Sequence, residues 1–341
     1  MVPFTDEAMR ATHSPVVLAA DVGGTKTIVC RAQVTGSTIV RGEVERFASR
    51  DHPDLQSILA DYARRHDVRG LPACFGVAGP VRDGRCVATN LPWVIDAAAL
   101  RATLGLGPTA LCNDFEAAAH GLDALQPDDL AVLQAGAPDP TAPRALLGAG
   151  TGLGEALVLP EEGGGWRVVA GEGGHADFAP RDAVQDEILR RLRVRHGRVS
   201  FERVLSGRGL AAVYECLREM GGTEAPEVRA AMEAGDPAAV VGQYGTAGRD
   251  PLCVQALDVF LDVYGAEAGN MALRFLARGG VYLAGGIAAK VLPRILQGGL
   301  LTAFRTKGRL SPLLSEMPLA VVLEPELGLL GAAVLAAEMR A

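Results

Sequence analysis

Three side chains with acid–base or ligand chemistry, Glu172, His175 and Asp177, fall within the short stretch GEGGHADFAP, residues 171–180. A carboxylate and an imidazole at this spacing suit a metal site, an acid–base pair or a cage of hydrogen bonds around a polar ligand. Glu172 and His175 would share one face of a helix, but Gly173 and Gly174 between them oppose a helix. No further group of histidines or cysteines completes a metal shell around His175 and Asp177. Two readings stay open: a glycine turn with His175 satisfied in the core, or a glycine-shaped loop presenting a carboxylate and an imidazole to the hydroxyls of one small ligand.

A second candidate lies in PTALCNDFEAAAHGLDAL, where a short apolar strand ends at Asn113-Asp114 and an alanine-rich helix follows. Asn113 with Glu116 three residues on has the form of a capping box, which by itself explains both residues. The functional alternative is that Asp114, held at a strand end, accepts a proton from an attacking hydroxyl, as phosphoryl transfer to an alcohol requires. Glu202, in VSFERVLSGRGL, reads by composition as a surface glutamate on a short helical piece ended by Gly207.

These residues need elements to carry them. VVLAADVGGTKTIVCRAQV reads as strand, glycine turn, strand, and so does ALLGAGTGLGEALVLP. Neither fits a Walker loop or a dinucleotide-binding turn, since no helix follows the glycines. Each alone is also what a tight hairpin looks like. Two of the same design suggest related halves whose backbone N–H groups hold phosphate oxygens, with Thr25 and Thr151 adding hydroxyl donors. A third turn, GGVYLAGGIAAKVLPRILQ, runs strand, Gly285-Gly286, helix. It is an ordinary strand-to-helix connection or a passage beside a flat base or ribose.

The length of 341 residues suits about two domains. With 33 basic and 40 acidic residues the net charge is -7, which offers no general attraction to nucleic acid or anionic membrane. Apolar runs fall short of the ~20 residues that span a bilayer. Residues 1–15 lack the basic start and apolar stretch of a signal peptide and read as a loose tail, so a cytoplasmic protein is expected. The six cysteines are scattered, without zinc spacing. The basic stretch RRLRVRHGR, 190–198, reads as the solvated end of a helix from near Asp182 to Gly197 rather than a DNA contact.

In this order, the segments resemble the bacterial ATP-dependent glucokinases of the hexokinase/actin/Hsp70 superfamily. DVGGT is similar to their first phosphate motif, CFGVAGPVRDGRCVATNLPW to their sugar-domain segment and NDFEA to their catalytic segment. GAGTGLG resembles the second phosphate motif, EGGHADFAP and ERVLSGRGL the sugar loops, LAGGIAAK the adenosine turn, and the tail from Phe304 to Ala333 follows the same pattern. The resemblance covers roughly residues 16–338.

The resemblance implies an α/β protein with the two-domain actin-like ATPase (ribonuclease H-like) fold, mixed sheets and an interdomain cleft. The small domain would be 16–124 plus 325–341, and the large one 125–324. It implies phosphoryl transfer from ATP to the 6-hydroxyl of glucose, with Asp114 as the base. Asn113, Glu172, His175 and Glu202 would bind the other hydroxyls. Gly23, Gly24, Thr25, Gly150, Thr151 and Gly152 would cradle phosphates, Gly285 and Gly286 would border the adenosine, and Asp21 would approach Mg2+ through water. Relatives of this kind often form homodimers. Lys26, Ala149 and Glu155 depart from the family pattern, and GGTK is commoner in the neighbouring ROK family, whose cysteine-rich zinc motif is absent here. Rival readings are a kinase for another hexose or N-acetyl sugar, a sugar-responsive regulator, and an actin-like filament ATPase.

Overall fold

A computed structural model describes residues 14–339, so most of the tail expected at 1–15, and the last two residues, lie outside the described residues. Two compact units emerge, one from Met1–Gln126 with Glu326–Ala341 and one from Pro127–Pro325.

In the first unit the strands β1 (Val16–Val22) and β2 (Lys26–Thr35) form the expected glycine hairpin, paired antiparallel from Val16↔Gln33 to Val22↔Thr27. With β3 (Thr38–Arg41), β4 (Glu45–Ala48), β5 (Ala73–Val77) and β9 (Thr109–Asn113) they make a mixed sheet in the order β3-β2-β1-β5-β9, with β4 also on β2. The runs VVLAADV and ACFGV are buried almost throughout, as strands covered on both faces must be. Between β5 and β9 lie a small sheet of β6 (Val81–Arg82), β7 (Arg85–Val87) and β8 (Val94–Asp96), then a helix.

Three helices of this unit are α1 (Leu55–Ala63), α2 (Ala97–Leu104) and α3 (Asp114–His120). The C-terminal helix, Leu327–Glu338, returns to the same unit and packs against β1 and α3. Glycine makes that packing possible. A Cβ on Gly331 would come within 1.6 Å of the Ala117 carbonyl oxygen, and one on Gly121 within 2.4 Å of the Leu327 carbonyl oxygen. The two helices therefore meet backbone to backbone.

The second unit has a mixed sheet in the order β10-β15-β14-β11-β12-β13. Its strands are β10 (Leu130–Gln134), β11 (Arg144–Ala149), β12 (Leu153–Pro160), β13 (Trp166–Gly171), β14 (Gly280–Ala284) and β15 (Leu319–Val322). β11 and β12 are the second expected hairpin. Helices α4 (Ala183–His196), α5 (Gly207–Glu219), α6 (Pro226–Ala234), α7 (Pro237–Thr246), α8 (Pro251–Phe275) and α9 (Gly286–Lys290) accompany it. The 25-residue α8 is the core helix, burying among others Phe260, Tyr264 and Met271. Among the described residues no helix is long and apolar enough to cross a membrane.

One local expectation is corrected and a second is refined. Gly207 does not end the helical piece around Glu202; it opens α5, because the Ser206 side chain caps the helix by accepting from the Gly209 N–H at 3.0 Å. Glu202 itself sits in a separate single 3-10 turn, Phe201–Arg203. As expected, Gly173 and Gly174 allow no α-helix to carry Glu172 and His175; they make a single 3-10 turn at Gly173–His175, closed by the Ala176 N–H donating to Gly173 O. Bare backbone is needed there for close seating on β12, where a Cβ on Gly174 would meet Leu153 O at 2.2 Å. The α4 span agrees with expectation, with Asp182 and Gly197 as its caps.

Candidate functional site

In the first unit, Asp21, Asn113 and Asp114 come together because β1, β5 and β9 run parallel in register. Asp21 lies opposite Gly76, Gly76 opposite Cys112, and Val77 opposite Asn113. The expected carboxylates thus stand at the carboxyl ends of β1 and β9, one on each side of β5, where open α/β sheets place ligands. Asn113 caps α3 through a full capping box. Its Oδ1 accepts from the N–H groups of Phe115 and Glu116 at 2.9 and 3.3 Å, and the Glu116 side chain accepts from the Asn113 N–H at 3.3 Å. Its Nδ2 donates to Gly79 O at 3.3 Å. The capping reading of Asn113 is therefore realised, and one amide hydrogen is left for a ligand.

Asp114 is exposed at the first position of α3, with its Oδ1 accepting the Phe115 N–H at 2.9 Å. A Cβ on Gly76 would sit 3.0 Å from the Ala117 Cβ and 3.8 Å from the Asp114 Cα, so α3 settles directly on the sheet. Asp21 is pushed up to about 6, first by burial, then by the charge of Asp114; Lys26 opposes this and Glu326 adds to it. A carboxylate under such strain favours a nearby cation. One carboxylate suits magnesium, which keeps several waters and binds mainly through phosphates. Among the described residues no cluster of three His, Cys, Asp or Glu groups forms an all-protein metal cage.

The first hairpin is strapped by a residue that sequence reasoning missed. The Ser49 hydroxyl donates to Gly23 O at 2.7 Å and lies 3.0 Å from the Thr27 hydroxyl, while its N–H donates to Thr25 O at 3.0 Å. Gly24 is required by a close neighbour, since a Cβ there would meet the Asn90 Cβ at 2.7 Å. Nothing in the local sequence around Ser49 marks it; only the β2–β4 pairing brings it to the turn.

In the second unit the glycines divide by role. A Cβ on Gly150 or Gly286 would meet nothing within 4 Å, whereas one on Gly152 would come within 2.5 Å of Glu202 Oε2 and one on Gly285 within 2.5 Å of Ala149 O. Gly285, at φ +86°, also needs glycine for its backbone. Gly150, Thr151 and Gly286 line a cleft of about 1200 Å³ together with Gln243, Thr246 and Lys290. That volume exceeds what a drug-sized ligand needs. The neighbouring hydroxyl of Tyr264, fully buried on α8, accepts from the Ala149 N–H at 3.3 Å and lies 3.2 Å from the carbonyls of Leu147 and Ala284. Tyr264→Phe leaves that N–H without its partner and should cost ~1 kcal/mol, read as a lower denaturation midpoint at unchanged fold.

Glu172, His175 and Glu202 gather on the start of β12. Glu202 Oε2 accepts the Leu153 N–H at 3.0 Å, so Glu202 is tied to the hairpin and is no ordinary surface glutamate. Glu172 Oε2 and His175 Nε2 lie 3.8 Å apart, with side chains 90% and 59% exposed, which excludes a core role for His175. Asp177 is engaged by Arg198 Nε at 2.7 Å, and Arg198 also donates to His175 O at 2.5 Å. Arg198, from the basic stretch, thus serves the loop. Arg190, Arg191 and Arg195 pair instead with Glu187, Glu215 and Glu219 at 2.5 to 3.4 Å.

The model of the Glucokinase family matches residues 18–339. A glucokinase of Nostoc sp. is 41% identical, over 95% of this chain and 99% of that relative. A glucokinase of Synechocystis sp. is 40% identical, over 94% of this chain and 98% of that relative. A crystal structure of a glucokinase from an Antarctic psychrotroph superposes with a TM-score of 0.83 at 28% identity, covering 95% of this chain and 99% of that one.

Proposed function

The chain belongs to the glucokinase family, and we propose that it transfers the γ-phosphoryl group of ATP to the 6-hydroxyl of D-glucose, giving glucose 6-phosphate and ADP. The observation that carries this reading is the shared seat in the second unit: Glu202 and the Glu172–His175 turn both rest on β12, the strand that leaves the second phosphate hairpin. Sugar recognition and phosphate binding are thereby built on adjoining residues.

In this reading the small domain is 16–124 plus 325–341 and the large domain 125–324. Asp114 takes the proton of the 6-hydroxyl as the oxygen attacks. Glu172, His175, the free oxygen of Glu202 and the remaining amide hydrogen of Asn113 pair the other hydroxyls. A site that pairs each hydroxyl rejects sugars that misplace one, because its own polar groups would go unsatisfied. The amides of Gly23, Gly24, Thr25, Gly150, Thr151 and Gly152 hold phosphate oxygens, with Gly150 presenting the barest backbone, and Gly285 and Gly286 border the adenosine. Magnesium, when bound with ATP, neutralises charge on the transferring group, and Asp21 would hold it through water.

ADP release from magnesium-ATP, measured with and without glucose, tests the reading. Release that depends on glucose is the expected result; turnover indifferent to any sugar would sink it. The Asp21 carboxyl adds a pH signature. Raised to about 6, it gains a proton as the pH falls through that value, so magnesium-ATP binding should weaken below about pH 6. Titration calorimetry on Asp21→Asn should find weak binding without that inflection.

A further inference from the structure

Glu155, on β12 opposite Leu147 and Gly171, has no part in the reading above. It is 6% exposed, and its Oε1 is buried without a hydrogen-bond partner. A buried carboxyl oxygen left unpaired is costly and calls for an explanation. Its other oxygen faces the turn: a Cβ on Gly173 would come within 1.8 Å of Glu155 Oε2. The next glycine rests on Leu153 O, and the Leu153 N–H is the group that Glu202 holds. Leu153 and Glu155 are therefore the floor beneath the turn that carries Glu172 and His175.

We propose that Glu155 is a positioning residue whose carboxyl seats the 172–175 turn, so that sugar affinity rather than the phosphoryl-transfer step depends on it. The sugar role of the turn rests on the glucokinase reading; the seating does not. Among the described residues, few charged groups lie near Glu155. From α8 come Glu267, fully buried, and Arg274, which donates to Glu267 Oε1 at 2.8 Å. The turn brings Glu172 and His175, both turned to solvent, and the Phe201–Arg203 turn brings Glu202. The register neighbours Leu147 and Gly171 add no charge.

Burial, then the charge of Glu267, pushes the Glu155 carboxyl up to about 7, with Arg274 opposing. Below that value the group is the neutral acid, the form that burial favours. Above it, a charged oxygen without a partner lies in the low-dielectric floor near a second acid, and the turn loses its seat. The sugar KM should therefore rise as the pH passes upward through about 7.

The test compares wild type, Glu155→Gln and Glu155→Ala at about one pH unit either side of neutrality. It reads KM for glucose, kcat, and amide hydrogen exchange over residues 171–176. In the wild type KM should rise several-fold across this range while kcat changes little. Glu155→Gln, which copies the neutral acid, should keep the low KM at both pH values, and Glu155→Ala should show the high KM at both. Exchange of the turn amides should follow the same order. Equal KM and equal exchange in wild type and Glu155→Gln at both pH values would overturn the proposal, as would a fall in kcat with KM unchanged. A wild type that releases no ADP with glucose would fail the glucokinase reading alone, and hydrogen exchange would still decide the role of Glu155.

Discussion

Asp114→Asn should lower kcat for glucose phosphorylation by ~10²–10⁴-fold, the usual worth of a positioned general base, with little change in KM for either substrate. The amide keeps the size of the carboxylate and its place at the start of α3, so the capping box of Asn113 and Glu116 remains. What it lacks is the basic oxygen. A loss shared equally by kcat and kcat/KM marks an interaction made only in the transition state. Steady-state kinetics on the variant, with a melting curve to show that the fold is intact, decide the point. An Asp114→Asn enzyme with more than about half the wild-type kcat would assign the proton to another group.

Gly331→Ala should be the most damaging single methyl in the first unit. The added Cβ would lie 1.6 Å from the Ala117 carbonyl oxygen, a backbone atom that cannot swing aside as a side chain can. Overpacking of a tight contact costs ~1–3 kcal/mol, and this contact belongs at the upper end. The expected result is a lower melting temperature together with a lower kcat, because the C-terminal helix that is pushed away also supports α3 and backs Asp21. A Cβ on Gly328 of that helix would sit 3.6 Å from the Asp21 carboxylate. Gly299→Ala is the control, since its Cβ would meet nothing within 4 Å. Equal melting of Gly331→Ala and Gly299→Ala would refute the backbone-to-backbone contact.

The amino-acid sequence by itself determined the local elements of this protein. Apolar runs on both sides of Gly23-Gly24 and of Gly150-Gly152 have only one short-range solution, an antiparallel hairpin, and both hairpins form. Asn113 with Glu116 is a capping signal carried within four residues, and the box closes as read. Family membership was equally legible, because EGGHADFAP and TNLPW are rare strings whose order along the chain adds to their weight. Local reading fell short in two places. Gly173-Gly174 stay out of an α-helix as glycine should, but their close 3-10 turn exists because β12 offers a floor that only bare backbone can approach, which the segment itself does not show. Gly207 resembled a helix stop and is a helix start, because the adjacent Ser206 is itself the cap, a local signal of equal strength.

Tertiary structure alone decided which residues support the site. Ser49 reaches the first hairpin through strand pairing, Tyr264 reaches the second from the middle of α8, and Arg198 leaves its basic neighbours to clamp Asp177 and His175. None of these residues has a signature in its own segment, since a hydroxyl or guanidinium means nothing until the group it meets is known. Glu155 is the sharpest case. As sequence it is a glutamate in a strand; folded, it is a buried acid beneath a glycine turn, because side-chain environment is a property of packing and not of order along the chain.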